Sequence, residues 1–327
     1  NFWAFAAYVA LYPQLIAGPI VRHNELVPQI LDAGKKPFSF DAFSLGIYFF
    51  TMGLAKKIIL ADRLGITVDK VLLQLDHLSA LESWLCAVGY TLQLYFDFSG
   101  YSDMAVGLGW MLGFSMPQNF NSPYKAKSLT EFWQRWHMTL SFWLRDYLYI
   151  TLGGNRNGKW KTYRNLFLTM LLGGLWHGAG WTYALWGAYH GGILALERFC
   201  KNNLKNSILV KAILSAPSSV KQGLTFFVVI IGWVIFRAPS TAFAITWYQK
   251  MFFNPTLLGM NSFTADIKDR FIFVFIFGLI LVFKAKNSFE KSKDLKYSFK
   301  LALWYAFLFF MSIIYLAEES PFLYFQF

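Results

Sequence analysis

Apolar runs near the length of a bilayer-crossing helix recur along the whole chain, and this constrains the fold more than any other sequence feature. A crossing helix needs about 20 consecutive mostly apolar residues. Such runs are read at Phe2–Ile20, Phe40–Leu60, Ala80–Phe98, Met104–Met116, Leu166–Trp176, Trp181–Leu196, Gln222–Phe236, Phe271–Phe283 and Leu301–Leu316. They leave no room for a large soluble domain. Charged residues make up only 15% of the 327, and a soluble domain needs roughly 25% to coat its surface. A soluble helical protein would also need polar outer faces, yet Phe226–Phe236 and Phe271–Phe283 are apolar all round. The expected fold class is therefore all-α, a polytopic integral membrane protein, with residues 1–327 forming one transmembrane domain.

A net charge of +12 invites a nucleic-acid reading, but the charges sit in short loops between the runs. Arg198, Lys201, Lys205, Lys211 and Lys221 share one loop, and Lys284, Lys286, Lys291, Lys293, Lys296 and Lys300 share another. Arg156, Lys159, Lys161 and Arg164 precede the first by two spans. Span parity places all three on one side, the cytoplasmic one by the positive-inside rule, with Glu318 and Glu319 opposite. This excludes nucleic acid as a partner and makes membrane lipid the surrounding medium. The loop 239–270 is then the main excursion on the other side, with no assignable role. Cys86 and Cys200 are too few for a disulfide framework or a metal pair, and the histidines lack metal-site spacing, so no metal is expected. The chain opens on Asn1 inside an apolar run and is read as lacking its true N-terminus.

Ser128-Leu-Thr-Glu131 forms a capping box, and the period of Trp133, Trp136, Leu140, Trp143 and Tyr147 predicts one helix running through Ile150. Glu131 and Arg135 are spaced to pair on it. The segment is too charged to cross and should lie at the interface or against the bundle.

Ionisable groups inside apolar segments are costly, so an intramembrane histidine is a candidate for function. His177 lies in Leu172-Gly-Gly-Leu-Trp-His-Gly-Ala-Gly-Trp181, where a span breaks into glycines. Counting from Arg164, it sits roughly 18 Å into the membrane. The alternative is a core histidine bonded to a carbonyl, but flanking glycines let a ligand approach the backbone. His137, in Phe132-Trp-Gln-Arg-Trp-His-Met-Thr-Leu-Ser141, shares a helical face with Trp133 and Ser141 and could equally be a water-capped interfacial residue. His190 reads as a packing residue, and His23 and His77 receive no role. Asp97 and Asp103 bracket Phe98-Ser-Gly-Tyr-Ser102; they could orient a histidine or, as the favoured reading, stitch a glycine-containing helix break. The chain has no phosphate loop, no nucleophile elbow and no His-x-x-x-Asp pattern, since Ser141 stands where that Asp would be. Histidine acid–base chemistry in a membrane cavity remains.

Taken in series, the motifs resemble the membrane-bound O-acyltransferase superfamily, in particular the bacterial branch that contains the alginate O-acetyltransferase membrane subunit. The matching stretches are Tyr12-Pro-Gln-Leu-Ile-Ala-Gly-Pro-Ile20, Tyr95–Asp103, Asn119-Phe-Asn-Ser-Pro-Tyr124, Glu131–His137 with Trp143–Tyr147, Leu152–Arg156, Gly174–Trp181 with Tyr189-His-Gly191, and Ser320–Gln326. The resemblance implies a ring of helices around a funnel or tunnel, with His177 catalytic and His137 lining the same funnel. It also implies spans ahead of the first motif. Under that reading His177 is the general base, since a neutral imidazole with an ordinary pKa of about 6.5 suits the task. Arg145 and Arg156 could steer an anionic donor such as acetyl-CoA or mark the cytoplasmic side. No tightly bound cofactor is expected. The expected partners are an acyl thioester donor, a periplasmic acetyltransferase or esterase-like protein and an exported polysaccharide acceptor, in a bacterial inner membrane. D-alanyl transfer to teichoic acid and a non-catalytic transporter stay open.

Overall fold

The computed structural model describes residues 1–15, 18–35, 37–263, 265–296 and 298–316, and its regular elements are all helical. Ile16 and Ala17 of the first motif, the stretch Ser320–Gln326 and the charges of Glu318 and Glu319 lie outside the described residues. In chain order the first helices are α1 (Phe2–Val9), α2 (His23–Asp32), α3 (Phe40–Leu72) and α4 (Ala80–Met111). Two short helices follow, α5 (Leu129–Arg135) and α6 (Met138–Leu144), then the hairpin pair α7 (Lys159–His177) and α8 (Trp181–Asn203). The remainder are α9 (Ile208–Ser215), α10 (Ser218–Arg237), α11 (Thr241–Phe253), α12 (Ala265–Lys284), α13 (Ser288–Lys293) and α14 (Phe299–Leu316).

Among the described residues, α3, α10 and α14 are long and apolar enough to cross a bilayer by length and composition. The expected run Phe2–Ile20 is no span: α1 has eight residues, about 12 Å, and the chain then turns at Tyr12–Gln14. The runs Ala80–Phe98 and Met104–Met116 are one helix, because α4 continues through Phe98–Ser102 without a break. Its polar residues are tolerated because protein surrounds them; Gln93, Ser99, Ser102, Asp97 and Asp103 are all buried. The excursion 239–270 contains α11, capped by Ser240 and docked through Trp247, whose indole donates to the Ser83 carbonyl at 3.1 Å.

Helices α3 and α4 cross backbone to backbone. A Cβ on Gly53 would stand 2.4 Å from the Gly100 carbonyl oxygen, and one on Gly46 would stand 2.7 Å from that of Gly107. Seven-residue spacing on both helices repeats the contact one heptad on, the small-residue device of membrane helix pairs. At this crossing Lys57 pairs with Asp97 and, at 2.8 Å, with Asp62, while Lys56 pairs with Asp103. Asp97 and Asp103 therefore anchor α4 to its neighbour; there is no helix break for them to stitch, and among the described residues neither is bonded to a histidine. Lys56 and Lys57 sit where α3 passes briefly into a π-helical turn, Lys56–Ala61, which swings both ammonium groups toward α4.

The α7–α8 hairpin is closed in the same way. A Cβ on Gly187 would lie 2.5 Å from the Met170 carbonyl oxygen, and one on Gly174 2.3 Å from that of Tyr183. The basic residues at 156–164 and beyond Leu196 consequently fall at one end of the molecule, as charge parity requires. Gly53→Ala should cost about 1–3 kcal/mol through forced separation of the helices. Gly223→Ala, which meets nothing within 4 Å, should be neutral or slightly stabilising. Thermal unfolding of both variants in one detergent checks this.

Candidate active site

The predicted helix from Ser128 through Ile150 is interrupted at His137. The Ser128 hydroxyl accepts from the Glu131 N–H at 3.1 Å, although the Glu131 carboxylate returns to the N–H of Lys127 and not to that of Ser128. The Glu131–Arg135 pair forms at 2.8 Å. α5 then ends, Trp136 is extended, and His137 takes left-handed backbone at φ 43°, ψ 55° before α6 begins. A non-glycine residue there costs roughly 1–2 kcal/mol. Tertiary hydrogen bonds compensate: the Asn121 N–H donates to the Arg135 carbonyl and the Met138 N–H to the Asn119 carbonyl, both at 2.9 Å. His137 thus shares no helical face with Ser141, whose hydroxyl caps the Trp136 carbonyl at 3.3 Å.

The bend points the imidazole into protein, with only 5% of the residue exposed. Its Nδ1 lies 3.0 Å from Asn119 Oδ1. The other amide atom, Nδ2, donates to Ser102 Oγ on α4 at 3.1 Å, so Oδ1 is the acceptor and His137 Nδ1 carries the proton. The lone pair of the neutral ring is left on Nε2. The Thr139 hydroxyl also donates to Asn119 Oδ1, at 3.0 Å, and itself accepts from the Ile20 N–H at 3.0 Å. Three separate motifs therefore meet on one carboxamide, and Thr139 links a fourth to it through Ile20. Asn119 appears in the sequence only as part of a motif, and nothing local marks it as the residue that sets a histidine tautomer.

His177 is the last residue of α7, half-buried beside the exposed tip formed by Trp176 and Trp181. Ring edges hold it: Trp186 at 5.5 Å, Phe236 at 5.2 Å and Trp176 at 5.2 Å. An aromatic path runs from His177 through Trp186, Trp233 and Trp136 to Phe120, against which His137 packs at 6.4 Å. Phe98 closes the other side of His137 at 4.7 Å. The structure thus gathers into one aromatic-lined region the two histidines singled out in the sequence, which lie 40 positions apart. His23 packs on Tyr8 near the first turn, and His77 lies in the turn before α4, both outside this region.

Residues 1–238 match the family model described as MBOAT, membrane-bound O-acyltransferase family. The chain belongs to the membrane-bound O-acyltransferase family. It is accordingly a polytopic all-α membrane protein. It is 50% identical over 252 residues to the probable alginate O-acetylase AlgI of Pseudomonas putida, an overlap covering 77% of this chain and 50% of that protein. It is 42% identical over 245 residues to the peptidoglycan O-acetyltransferase of Helicobacter pylori, covering 75% and 46%. Identity to the teichoic acid D-alanyltransferase of Bacillus subtilis is 32% over 199 residues, covering 59% and 50%. The chain spans about half the length of the curated relatives it matches.

The membrane-bound O-acyltransferase fold places the two arginines considered for donor steering differently. Arg156 is exposed in the loop after α6. Arg145 is bound to Asp146 at 2.7 Å and stacks on Phe142 at 5.1 Å. Asp146 also pairs with Arg22, which ties the segment after the first motif to the end of α6. These two arginines hold the Asp146 carboxyl down at about 2.

Two predictions follow from this geometry. In Asn119→Leu the His137 ring should lose its Nδ1-protonated preference, read as a shift in imidazole 15N resonances, and the unmet donors should cost about 1–3 kcal/mol. Asp146→Asn should lower the melting temperature at pH 7. Because the folded carboxyl titrates low, its contribution is present above about pH 4 and is lost as pH falls toward 2. Melting curves of wild type and Asp146→Asn should therefore converge over that window.

Proposed function

We propose that this chain carries the transfer centre of a membrane O-acetyltransferase that modifies an exported or cell-wall polysaccharide from a bacterial inner membrane. The observation that carries this reading is the meeting of His137 and His177 in one aromatic-lined region, with His137 held in a single tautomer by Asn119. The names of the relatives at 50% and 42% identity, an alginate O-acetylase and a peptidoglycan O-acetyltransferase, favour acetyl as the group and polysaccharide as the acceptor. The D-alanyl reading has the weaker support of a relative at 32% over a shorter overlap.

His177 acts as general base. Its imidazole takes the proton from an acceptor hydroxyl as that oxygen attacks the carbonyl carbon of an acyl thioester such as acetyl-CoA. Collapse of the tetrahedral adduct breaks the C–S bond, and the departing thiolate takes a proton, which His177 can return. His137 offers Nε2 to hold the acceptor hydroxyl or pass the proton onward. The buried His137 ring is walled by Phe98, Phe120 and the indoles behind them, which limits the water that could hydrolyse a thioester there. The donor is a substrate arriving from the cytoplasmic side, the acceptor is met on the other, and a funnel or tunnel joins the two. A periplasmic acetyltransferase or esterase-like partner would pass the group to the final polymer. No tightly bound cofactor enters the scheme.

The test is polysaccharide O-acetyl content in cells expressing wild type or His177→Ala at matched membrane levels. Loss of a general base should lower transfer by about 10²–10⁴-fold. Retained acetylation at normal protein levels would remove His177 from the mechanism.

A further inference from the structure

His190 is used by none of the steps above, yet it is fully buried in α8. Its ring contacts Trp186 at 5.1 Å, Tyr189 at 5.2 Å, Trp133 at 5.3 Å and Trp233 at 6.2 Å. The fit on the remaining side depends on Gly232, where a Cβ would stand 2.5 Å from Nε2. Among the described residues neither ring nitrogen has a hydrogen-bond partner, and the same is true of the indole N–H groups of Trp133, Trp186 and Trp233. A neutral imidazole has one donor and one acceptor. This nest of touching rings therefore holds four N–H donors and one acceptor lone pair without a protein partner.

Buried polar groups are nearly always paired, and each one left unpaired costs about 1–3 kcal/mol. Packing alone would be served better by Phe or Leu at this position. One water molecule would meet part of this set, accepting from the indole N–H groups of Trp133 and Trp186 and donating to the imidazole lone pair. The consequence reaches the proposed base, because Trp186 touches both rings: its indole meets His190 at 5.1 Å and His177 at 5.5 Å, nearly perpendicular to the latter.

We propose that His190, with the indole N–H groups of Trp133 and Trp186, holds a buried water, and that this node fixes the Trp186 ring against which His177 is set. His190 is then a positioning residue for acyl transfer. The inference rests on the reading of His177 as the base.

The experiment compares His190→Phe, His190→Gln, Trp186→Phe and the double variant His190→Phe/Trp186→Phe in the full-length protein, with His177→Ala alongside. Initial acetyl-transfer rates are measured across pH together with membrane abundance and melting temperature. His190→Phe is expected to lower kcat about tenfold or more at unchanged KM and abundance, equivalent to about 1.4 kcal/mol. His190→Gln, which keeps a donor and an acceptor, should recover most of the rate. Trp186→Phe keeps the ring but loses the N–H; it should match His190→Phe, with the double variant no worse than either. Equal losses in Phe and Gln variants, or loss that follows abundance, would mean simple packing and overturn the proposal. Full activity in His190→Phe would also overturn it. An experimental density map of the protein in lipid nanodiscs gives an independent reading: a peak within about 3.2 Å of a His190 nitrogen and an indole nitrogen supports the node, and an empty nest sinks it. Activity retained in His177→Ala would fail the base assignment separately, while the density reading of the node would stand on its own.

Discussion

Between α3 and α4 there is no space for a side chain at Gly53 or Gly100, and the architecture of the site starts from that contact. Close approach lets Lys56 and Lys57 reach Asp103 and Asp97 directly. In a bilayer those four charges have no other solvent, so they are stable only when paired and shielded together. With α4 locked in rotation, Ser102 faces the Asn119 amide and Phe98 faces the His137 ring. A helix pair that contributes no proposed catalytic atom thus sets the frame in which the atoms are placed.

Asn119 transmits that frame. Its amide group is held by α4 on one side and receives His137 and Thr139 on the other, while Thr139 reaches back to Ile20. The backbone bonds between residues 119–121 and 135–138 make a left-handed histidine affordable within an otherwise helical stretch. A ring held this way has one protonated nitrogen and one free, which is the state required of a group that accepts or relays a proton.

The second histidine is placed by a different device. The α7–α8 hairpin is drawn together through Gly174 and Gly187, and its turn leaves His177 at a helix end among the edges of Trp176, Trp186 and Phe236. Aromatic contacts orient a ring without consuming its nitrogens. His137 differs in that its Nδ1 is committed to Asn119, which is compatible with the proposed assignment of the base role to His177 and a supporting role to His137.

The membrane class and the two histidines were legible in the residue order, because hydropathy and a histidine in an apolar run are local properties. The capping hydroxyl of Ser128 and the Glu131–Arg135 pair were legible for the same reason. The continuity of α4 was not: polar Phe98–Ser102 looks like a break until the lysines of α3 are seen to satisfy it. The bend at His137 was hidden as well, since Trp-His-Met-Thr carries no glycine or proline and the strain is met by bonds spanning 14 or more positions. The first apolar run misled in the opposite direction, its hydrophobicity serving packing near Val21 and Leu26 where a crossing was expected. Composition and periodicity determined what kind of chain this is and which side chains were unusual. Only the tertiary structure decided which of them meet, because in an apolar medium each polar group must find its partner within the protein, wherever along the chain that partner lies.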